Sequence, residues 1–367
     1  MLQRSRIAAL FVAMALVLHP AMHASTLTGG GPAVAAALAA PALPAATDGQ
    51  AVQTAVEPIE FPAFVESLRV EALARGISEG TIARALSNLE PSASVIARDQ
   101  SQAEVILTVD QYVARRLTRP FVRTAQQMAA RHRTLLNRVA ATYGVPSRVV
   151  VSIWGLESNF GRFSGVRPTI QALATLAWEG RRGAFFRAEL MDALEIVDRG
   201  YIGLEMLRGS WAGAMGQAQF MPSSYLKWAQ DFDSDGDRDI WRSEPDVFAS
   251  VANYLKEHGW APATTWGREV RLPAGGIAAL REKVGMRGEG CRAEREMTNR
   301  LPLGDWQALG VRTAAGGALP KVAVDASLIH SGQRGFLVYG NYESLLEYNC
   351  AHSYALAVAL LSDRVGT

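Results

Sequence analysis

The first feature of this chain able to do chemistry is a glutamate that directly follows an apolar run. Val149-Val150-Val151-Ser152-Ile153-Trp154-Gly155-Leu156 leads into Glu157-Ser158-Asn159-Phe160-Gly161. A carboxyl so placed sits where water is scarce. If the run is a helix ending here, the negative end of its dipole also lies close. Both effects favour the protonated form, and a carboxylic acid kept neutral near pH 7 can serve as a general acid. The plainer reading is a C-terminal glutamate of a core helix bonded to the next loop, and position alone leaves both open.

A second segment, Gly209 to Tyr225, contains Ser210, Gly213, Gly216, Gln217, Gln219, Phe220 and Pro222. Small residues permit close backbone approach, while amides and aromatic rings offer the hydrogen bonds and apolar faces that suit a sugar. Taken alone, it also reads as a tightly packed loop entering a proline-started helix. The third segment places five aspartates in nine residues, Asp231, Asp233, Asp235, Asp237 and Asp239, with Gly236 at the sixth position. Alternating oxygen ligands and that glycine match the start of a calcium loop. The twelfth position is Arg242 and not a bidentate glutamate, so the loop must run on and close at Asp246. The expected ligands are Asp231, Asp233, Asp235, the Asp237 carbonyl and Asp246. The alternative is an acidic solvated turn; zinc is disfavoured because no Cys or His lies nearby.

Other chemistries are poorly supported. The chain has no phosphate-binding glycine loop, no His-Glu-x-x-His and no Gly-x-Ser-x-Gly, and its six histidines are scattered. Its 367 residues carry 37 Lys+Arg against 35 Asp+Glu, a net charge of +2, which argues against charge-driven nucleic-acid binding. With 49 % hydrophobic and 20 % charged residues, the composition is that of a globular protein.

The elements that must position these residues are mostly helical. Phe64, Leu68 and Ala72 recur at fourth positions before Gly76, and Ser78 caps a second helix through Leu86. Helices are expected over 101–116 and 120–143, the latter stopping at Gly144, then over 149–156, where three consecutive valines leave a strand as the alternative, and over 169–178, 184–198, 222–230 and 245–258. Residues 263–343 carry short β-like runs, Glu269–Leu272, Lys321–Val324 and Phe336–Tyr339, and 344–361 returns to helix. At the N-terminus, Arg4 and Arg6 precede an apolar run from Ile7 to Leu18. This fits a secretory signal peptide cleaved after Ala24, with an uncleaved anchor as the alternative. Residues 25–57, rich in Ala, Pro, Gly and Thr, read as a flexible tether. Export puts the only two cysteines, Cys291 and Cys350, in an oxidising compartment, so they are expected to pair, with two buried free thiols as the alternative. No cysteine near the cleavage site is available for a lipid anchor.

Together the motifs resemble the membrane-bound lytic murein transglycosylase B family, across roughly 58–367. The resemblance is carried by Leu156–Gly161, Gly213–Gly216, Gln219–Tyr225, the acidic loop, Ala252-Asn253-Tyr254, Tyr348-Asn349 and Tyr354-Ala355-Leu356. It implies a mainly α (α+β) protein: a lysozyme-like catalytic core with a helical domain and a small β-containing subdomain. The expected order is a signal peptide (1–24), tether (25–57), helical domain (58–145), catalytic core with the acidic loop (146–262), β-containing subdomain (263–343) and a returning C-terminal helical segment (344–367). The resemblance also implies cleavage of the β-1,4 bond between N-acetylmuramic acid and N-acetylglucosamine in peptidoglycan, with a 1,6-anhydro end. It assigns the acid/base role to Glu157 and places Ser210 and Asn349 on the substrate N-acetyl group. Gln219, Phe220, Tyr254, Tyr348 and Tyr354 match glycan-contacting positions. Arg181 and Arg182 match a basic pair suited to lactyl or peptide carboxylates, and Tyr112, on a weaker local pattern, matches a further substrate contact. Ala218 departs from the glycine usual at its position.

A retaining or inverting glycosidase needs two carboxylates, and no convincing second one lies near Glu157 in the sequence. The competing readings are a hydrolytic muramidase, a catalytically silent peptidoglycan-binding scaffold and a calcium-binding regulatory protein. No catalytic cofactor is expected, and calcium is a candidate structural ion. The expected location is the periplasm, without a transmembrane span in the mature chain. The expected partners are glycan strands, with other cell-wall enzymes as candidates and nucleic acid excluded.

Overall fold

The computed structural model describes residues 59–101, 107–179 and 182–366. The signal peptide, the tether and Arg181 lie outside the described residues. The helices, in chain order, are α1 (Phe61–Ala74), α2 (Glu79–Leu86), α3 (Ala93–Ser101), α4 (Val109–Arg116), α5 (Arg119–Arg131), α6 (Arg133–Tyr143), α7 (Ser147–Ser158), α8 (Thr169–Glu179), α9 (Gly183–Asp198), α10 (Pro222–Trp228), α11 (Glu244–Glu257), α12 (Gly276–Val284), α13 (Arg292–Arg295), α14 (Leu303–Ala308), α15 (Gly340–Tyr348) and α16 (His352–Val365). A two-stranded ladder joins β1 (Arg167–Pro168) to β2 (Arg208–Gly209). The remaining strands, β3 (Gly267–Arg271), β4 (Leu301–Pro302), β5 (Arg312–Thr313), β6 (Asp325–Ser331) and β7 (Arg334–Val338), form an antiparallel sheet in the order β4-β6-β7-β3-β5. The protein is thus mainly helical with a small antiparallel sheet.

Two apolar cores follow from this arrangement. The larger gathers Leu68, Leu136, Ile153, Leu173, Phe186 and Phe248 from the helices and extends to Phe336 of the sheet. The smaller, built around Trp306, Val311, Leu328 and Leu337, belongs to the sheet and its own helices. Among the described residues, no helix is long and apolar enough to cross a membrane.

Local chemistry sets the boundaries. Ser78 accepts from the Thr81 amide at the start of α2, and Thr108 with Gln111 forms a reciprocal capping box on α4. Gly144 ends α6 at φ 74°. Four expectations need correction. The helix expected over 120–143 is broken at His132, whose ring packs edge-on against Trp154 and Phe248 at 5.6 and 5.4 Å, so tertiary packing ends α5 there. The helix expected over 101–116 begins only at Val109 in its described part, behind the Thr108 cap. Lys321–Val324 is not a strand; pairing starts at Asp325, and Val322 is exposed with no facing partner. The single helix expected over 344–361 is two, separated by extended backbone at Asn349 and Ala351.

Candidate active site

Helix α7 carries Glu157 into the buried interior. Every residue from Val149 to Ser158 is buried, so the valine run is a helix packed on all sides and not a strand. Asn159, Phe160 and Gly161 then take left-handed φ values of 50°, 59° and 77°, turning the chain sharply. The Phe160 ring folds back over Gly155, where an added Cβ would lie 2.5 Å from the ring. The Ser158 hydroxyl donates to the Trp154 carbonyl at 2.9 Å and accepts from the Gly161 amide at 3.0 Å, fixing the turn.

Glu157 is only 3 % exposed. Burial pushes its carboxyl up to about 7; the facing Tyr354 hydroxyl and the Arg116 guanidinium partly offset this. Glu157 Oε1 and the Tyr354 hydroxyl are both buried and act on each other, and neither has another partner of good geometry among the described residues. Arg116 donates to the Leu156 carbonyl, immediately before Glu157. It also bonds to Tyr112, whose hydroxyl is raised first by burial and further by the charge of Glu157.

A wall of aromatic rings lies beside the carboxyl. Phe220 is 5.5 Å from Tyr254 and 5.9 Å from Tyr348; Tyr254 is 4.8 Å from Tyr348, and Tyr348 stacks at 6.3 Å on Tyr354. Their polar ends are anchored. Tyr348 donates to the Ala218 carbonyl at 2.7 Å and Tyr254 to the Glu347 carbonyl at 2.8 Å. All four rings are at least nine-tenths buried, so most of their surface packs on neighbouring side chains and only edges are left for a ligand.

The Gly209–Met221 loop forms another side. Isolated bridges tie Met215 to both Gly209 and Phe220. The Ser210 hydroxyl accepts from the Ala212 and Ala214 amides at 3.3 and 3.1 Å, keeping its own proton to donate. At Gly216 φ is 65° and a Cβ would meet the Ile240 carbonyl at 2.6 Å, so only glycine fits. Gln217, 6 % exposed, accepts from the Trp154 indole at 2.7 Å and donates to the Trp241 carbonyl at 2.9 Å, so both ends of its amide are used structurally. Gln219 sits at φ 51°, with its amide donating to the Gly216 carbonyl at 2.8 Å. Ala218 is buried, its carbonyl held by Tyr348.

Contacts thus join Glu157, Tyr112, Tyr348, Tyr354, Phe220 and Tyr254 into one cluster, with Gln219 beside Phe220. Buried Asn349 ends α15 next to Tyr348. Arg182 is engaged elsewhere, 3.6 Å from Asp99 and over the Phe186 ring at 5.1 Å. The residue that sequence reasoning missed is Arg116. Its signal was present: it lies four positions after Tyr112, hence on the same helix face.

The acidic loop also gathers as its spacing suggests. Carboxylate oxygens of Asp231, Asp233, Asp235 and Asp246 lie within 4.8 Å of one another. Three are exposed, while Asp246 is buried and accepts the Phe232 and Asp239 amides, each at 2.8 Å. Burial, reinforced by the charges of Asp233 and Asp231 against those two amides, pushes Asp246 up to about 6. The donor set is all oxygen, as calcium prefers. The Asp237 carboxylate is not part of the group; its expected contribution is its carbonyl.

This architecture is shared with solved lytic transglycosylases. The chain is similar to SltB3 from Pseudomonas aeruginosa, solved in complex with NAG-anhNAM-pentapeptide, at TM-score 0.75 and 43 % identity over 83 % of this chain and 79 % of that one. It is also similar to lytic transglycosylase Slt35 from Escherichia coli, solved in complex with calcium, at TM-score 0.69 and 27 % identity over 82 % of this chain and 92 % of that one. Membrane-bound lytic murein transglycosylase B of Escherichia coli (strain K12) is 34 % identical over 236 residues, 63 % of this chain and 60 % of that protein, so the match spans less than two thirds of that relative. The sequence pattern of the Transglycosylase SLT domain family matches residues 60–363, and the chain belongs to that family.

Proposed function

We propose that the protein is a peptidoglycan lytic transglycosylase. On this reading it cleaves the β-1,4 bond between N-acetylmuramic acid and N-acetylglucosamine and leaves a 1,6-anhydromuramyl end. The observation that carries the reading is a buried carboxyl, Glu157, raised to about 7, on which a tyrosine and an arginine act and, among the described residues, no second carboxylate does. Hydrolytic glycosidases use two carboxylates. The crystal structure of SltB3 with an anhydro-muramyl peptide supports the same chemistry in a relative.

In the proposed mechanism Glu157 gives its proton to the leaving glycosidic oxygen as the C1–O bond breaks. The substrate acetamido group, held by Ser210 and Asn349, stabilises the cationic carbon. Ionised Glu157, favoured at this point by Arg116 and Tyr354, takes the proton from the muramyl 6-hydroxyl as that oxygen bonds to C1. No water is consumed, and the tethered hydroxyl has the advantage of proximity. The edges of Tyr112, Gln219, Phe220, Tyr254, Tyr348 and Tyr354 line the glycan path; Arg181 and Arg182 serve substrate carboxylates, Arg182 by exchanging Asp99 for them when substrate binds. The work divides among a helical domain (58–145), a catalytic core (146–262), a β-containing subdomain (263–343) and the returning helices. The location is the periplasm, reached through the N-terminal signal peptide, and other cell-wall enzymes are candidate partners.

Two measurements test the reading. Mass analysis of fragments from purified cell walls should find ends about 18 Da lighter than hydrolysed ones, because one water is not added; reducing muramic ends would instead make the enzyme a muramidase. The pH profile is the second. Because the free enzyme must hold the Glu157 proton, kcat/KM should be flat on the acid side and fall as pH rises through about 7. A profile unchanged from pH 5 to 9 would exclude Glu157 as the acid.

Calcium is proposed as a structural ion held by Asp231, Asp233, Asp235, the Asp237 carbonyl and Asp246. It would neutralise the repulsion among the carboxylates and fix the loop that leads into α11, the helix carrying Tyr254. Binding to the folded state alone adds about 2.7 kcal/mol at a hundredfold excess over Kd. Thermal melts in calcium and in chelator should differ accordingly. Superimposable melts across millimolar calcium would remove the ion from the account.

A further inference from the structure

The charges of this chain are unevenly placed. Between Asp110 and Glu157 there are eight arginines and no Asp or Glu, in a protein whose net charge is only +2. These arginines lie on or beside α4, α5, α6 and α7. Three have assigned packing roles or partly buried positions: Arg116 bonds to the Leu156 carbonyl, Arg138 lies 5.2 Å from the Phe232 ring centre, and Arg148 is half-buried. The other five, Arg115, Arg119, Arg123, Arg131 and Arg133, are exposed, and none forms an ion pair among the described residues.

The five follow one another along the chain, from α4 through α5 to the start of α6, with Arg131 about a third of a turn round the helix from Arg119. Arg119 and Arg123 are one helical turn apart and so neighbours on the surface of α5. The thirteen residues of α5 extend about 20 Å, with Arg131 at the far end and Arg133 opening the next helix. Arg115 starts the series on α4, next in the chain to Arg116 and one turn from Tyr112, both of which belong to the Glu157 cluster. An unneutralised series of guanidinium groups repels itself and is best balanced by an anionic partner with charges repeated along its length.

We propose that this arginine series binds the acidic peptide stems of the peptidoglycan strand whose glycan occupies the Glu157 site. The inference rests on the lytic reading above and extends it from the sugar to the peptide. A glycan strand carries a stem on its muramic acid units, each with free carboxylates, and so presents spaced negative charge along a path leading away from the cleaved bond. The series begins on α4, the helix that also carries Tyr112 and Arg116 of the Glu157 cluster, which favours the substrate itself over an unrelated polyanion. An anionic membrane is the less favoured partner. A surface-lying helix needs apolar anchors to enter lipid, and the large exposed apolar side chains, Ile59, Val70, Leu73, Phe163, Val166, Met206, Met286 and Val322, all lie outside α4, α5 and α6.

The test is co-sedimentation of the full chain in a Glu157→Gln background, so that binding is read without digestion. The matrices are purified sacculi, stripped sacculi (the glycan strands an amidase leaves, coupled to beads because loss of the stems also removes the cross-links), and phosphatidylglycerol vesicles. A quadruple variant, Arg119→Gln, Arg123→Gln, Arg131→Gln and Arg133→Gln, should bind intact sacculi at least tenfold more weakly at low salt. Salt should abolish the difference, because exposed charges are screened over about 8 Å at 0.15 M. On stripped sacculi the two proteins should bind alike, and the corresponding four Arg→Lys changes should restore binding. Equal binding of the quadruple variant to intact sacculi overturns the proposal, and so does an equal loss on stripped sacculi. Vesicle binding that is stronger than sacculus binding and lost in the variant would assign the series to a membrane instead. If the quadruple variant does not fold, the Arg119→Gln, Arg123→Gln pair is read by the same criteria. A wild-type protein that yields no anhydro product would defeat the lytic reading, while the sedimentation result would still stand or fall by itself.

Discussion

Glu157→Gln should abolish turnover while leaving fold and glycan binding in place. The amide is nearly isosteric with the acid, and the site is already packed around that shape. What it lacks is a proton to give to the leaving oxygen and the basicity to remove one from the 6-hydroxyl. General acid–base help is worth about 10²–10⁴-fold, and in the proposed mechanism one residue performs both transfers, so the loss should lie at the upper end or beyond. Stability should move the other way. With a folded pKa of about 7 against an ordinary 4.5, the native carboxyl keeps its proton while the unfolded one loses it. Native stability therefore falls as pH rises from about 4.5 to 7, by on the order of 3 kcal/mol. The glutamine variant escapes this penalty and should be the more stable protein at pH 8, though not at pH 4. Near-normal wall lysis by a well-folded variant would refute the assignment.

Removing the Cys291–Cys350 bridge should cost about 4 kcal/mol, the chain-entropy value for a closure of this length. The two residues are 59 positions apart with Cα atoms 6.3 Å apart, and no free cysteine is left over. The bridge ties the start of α13 to the extended stretch that follows Asn349, and the Ala293 amide approaches Cys350 Sγ at 3.4 Å. The paired Cys291→Ala, Cys350→Ala variant should unfold at lower denaturant, and its affinity for glycan should drop because Asn349 is less firmly placed. Denaturation curves that coincide with those of the parent would show that the bridge contributes nothing to stability. Thiol titration of the denatured, unreduced parent should find no free thiol.

Much of this site could be read before any coordinates. An apolar run ending in glutamate, a loop of obligatory glycines and an aspartate spacing are local signals, and local signals survive in sequence. Pairings across long distances do not. Nothing near Trp154 announces that its indole needs Gln217, and nothing in the Gln217 segment separates that structural amide from Gln219. Arg116 is hard to single out because it is one of several arginines on these helices, ordinary until the Leu156 carbonyl is seen to accept from it. The breaks at His132 and Asn349 escaped for a related reason: neither segment holds proline or glycine there, and each helix is ended by what packs against it. Lys321–Val324 has the alternation of a strand but no neighbour to pair with, which pattern alone cannot reveal.

The cluster around Glu157 draws on α4, α7, the loop before α10, α11, α15 and α16, so its members are scattered from Tyr112 to Tyr354 along the chain. Contacts so distant in sequence are among the last to form when a chain folds, since their loop-closure entropy must be met first. Individual helices can therefore be present well before the constellation exists. A chain caught halfway, whether freshly delivered or recovering from stress, carries the parts of a wall-cutting tool without its edge. Competence arrives with the final collapse and not before, and this links the danger of the activity to the completeness of the molecule.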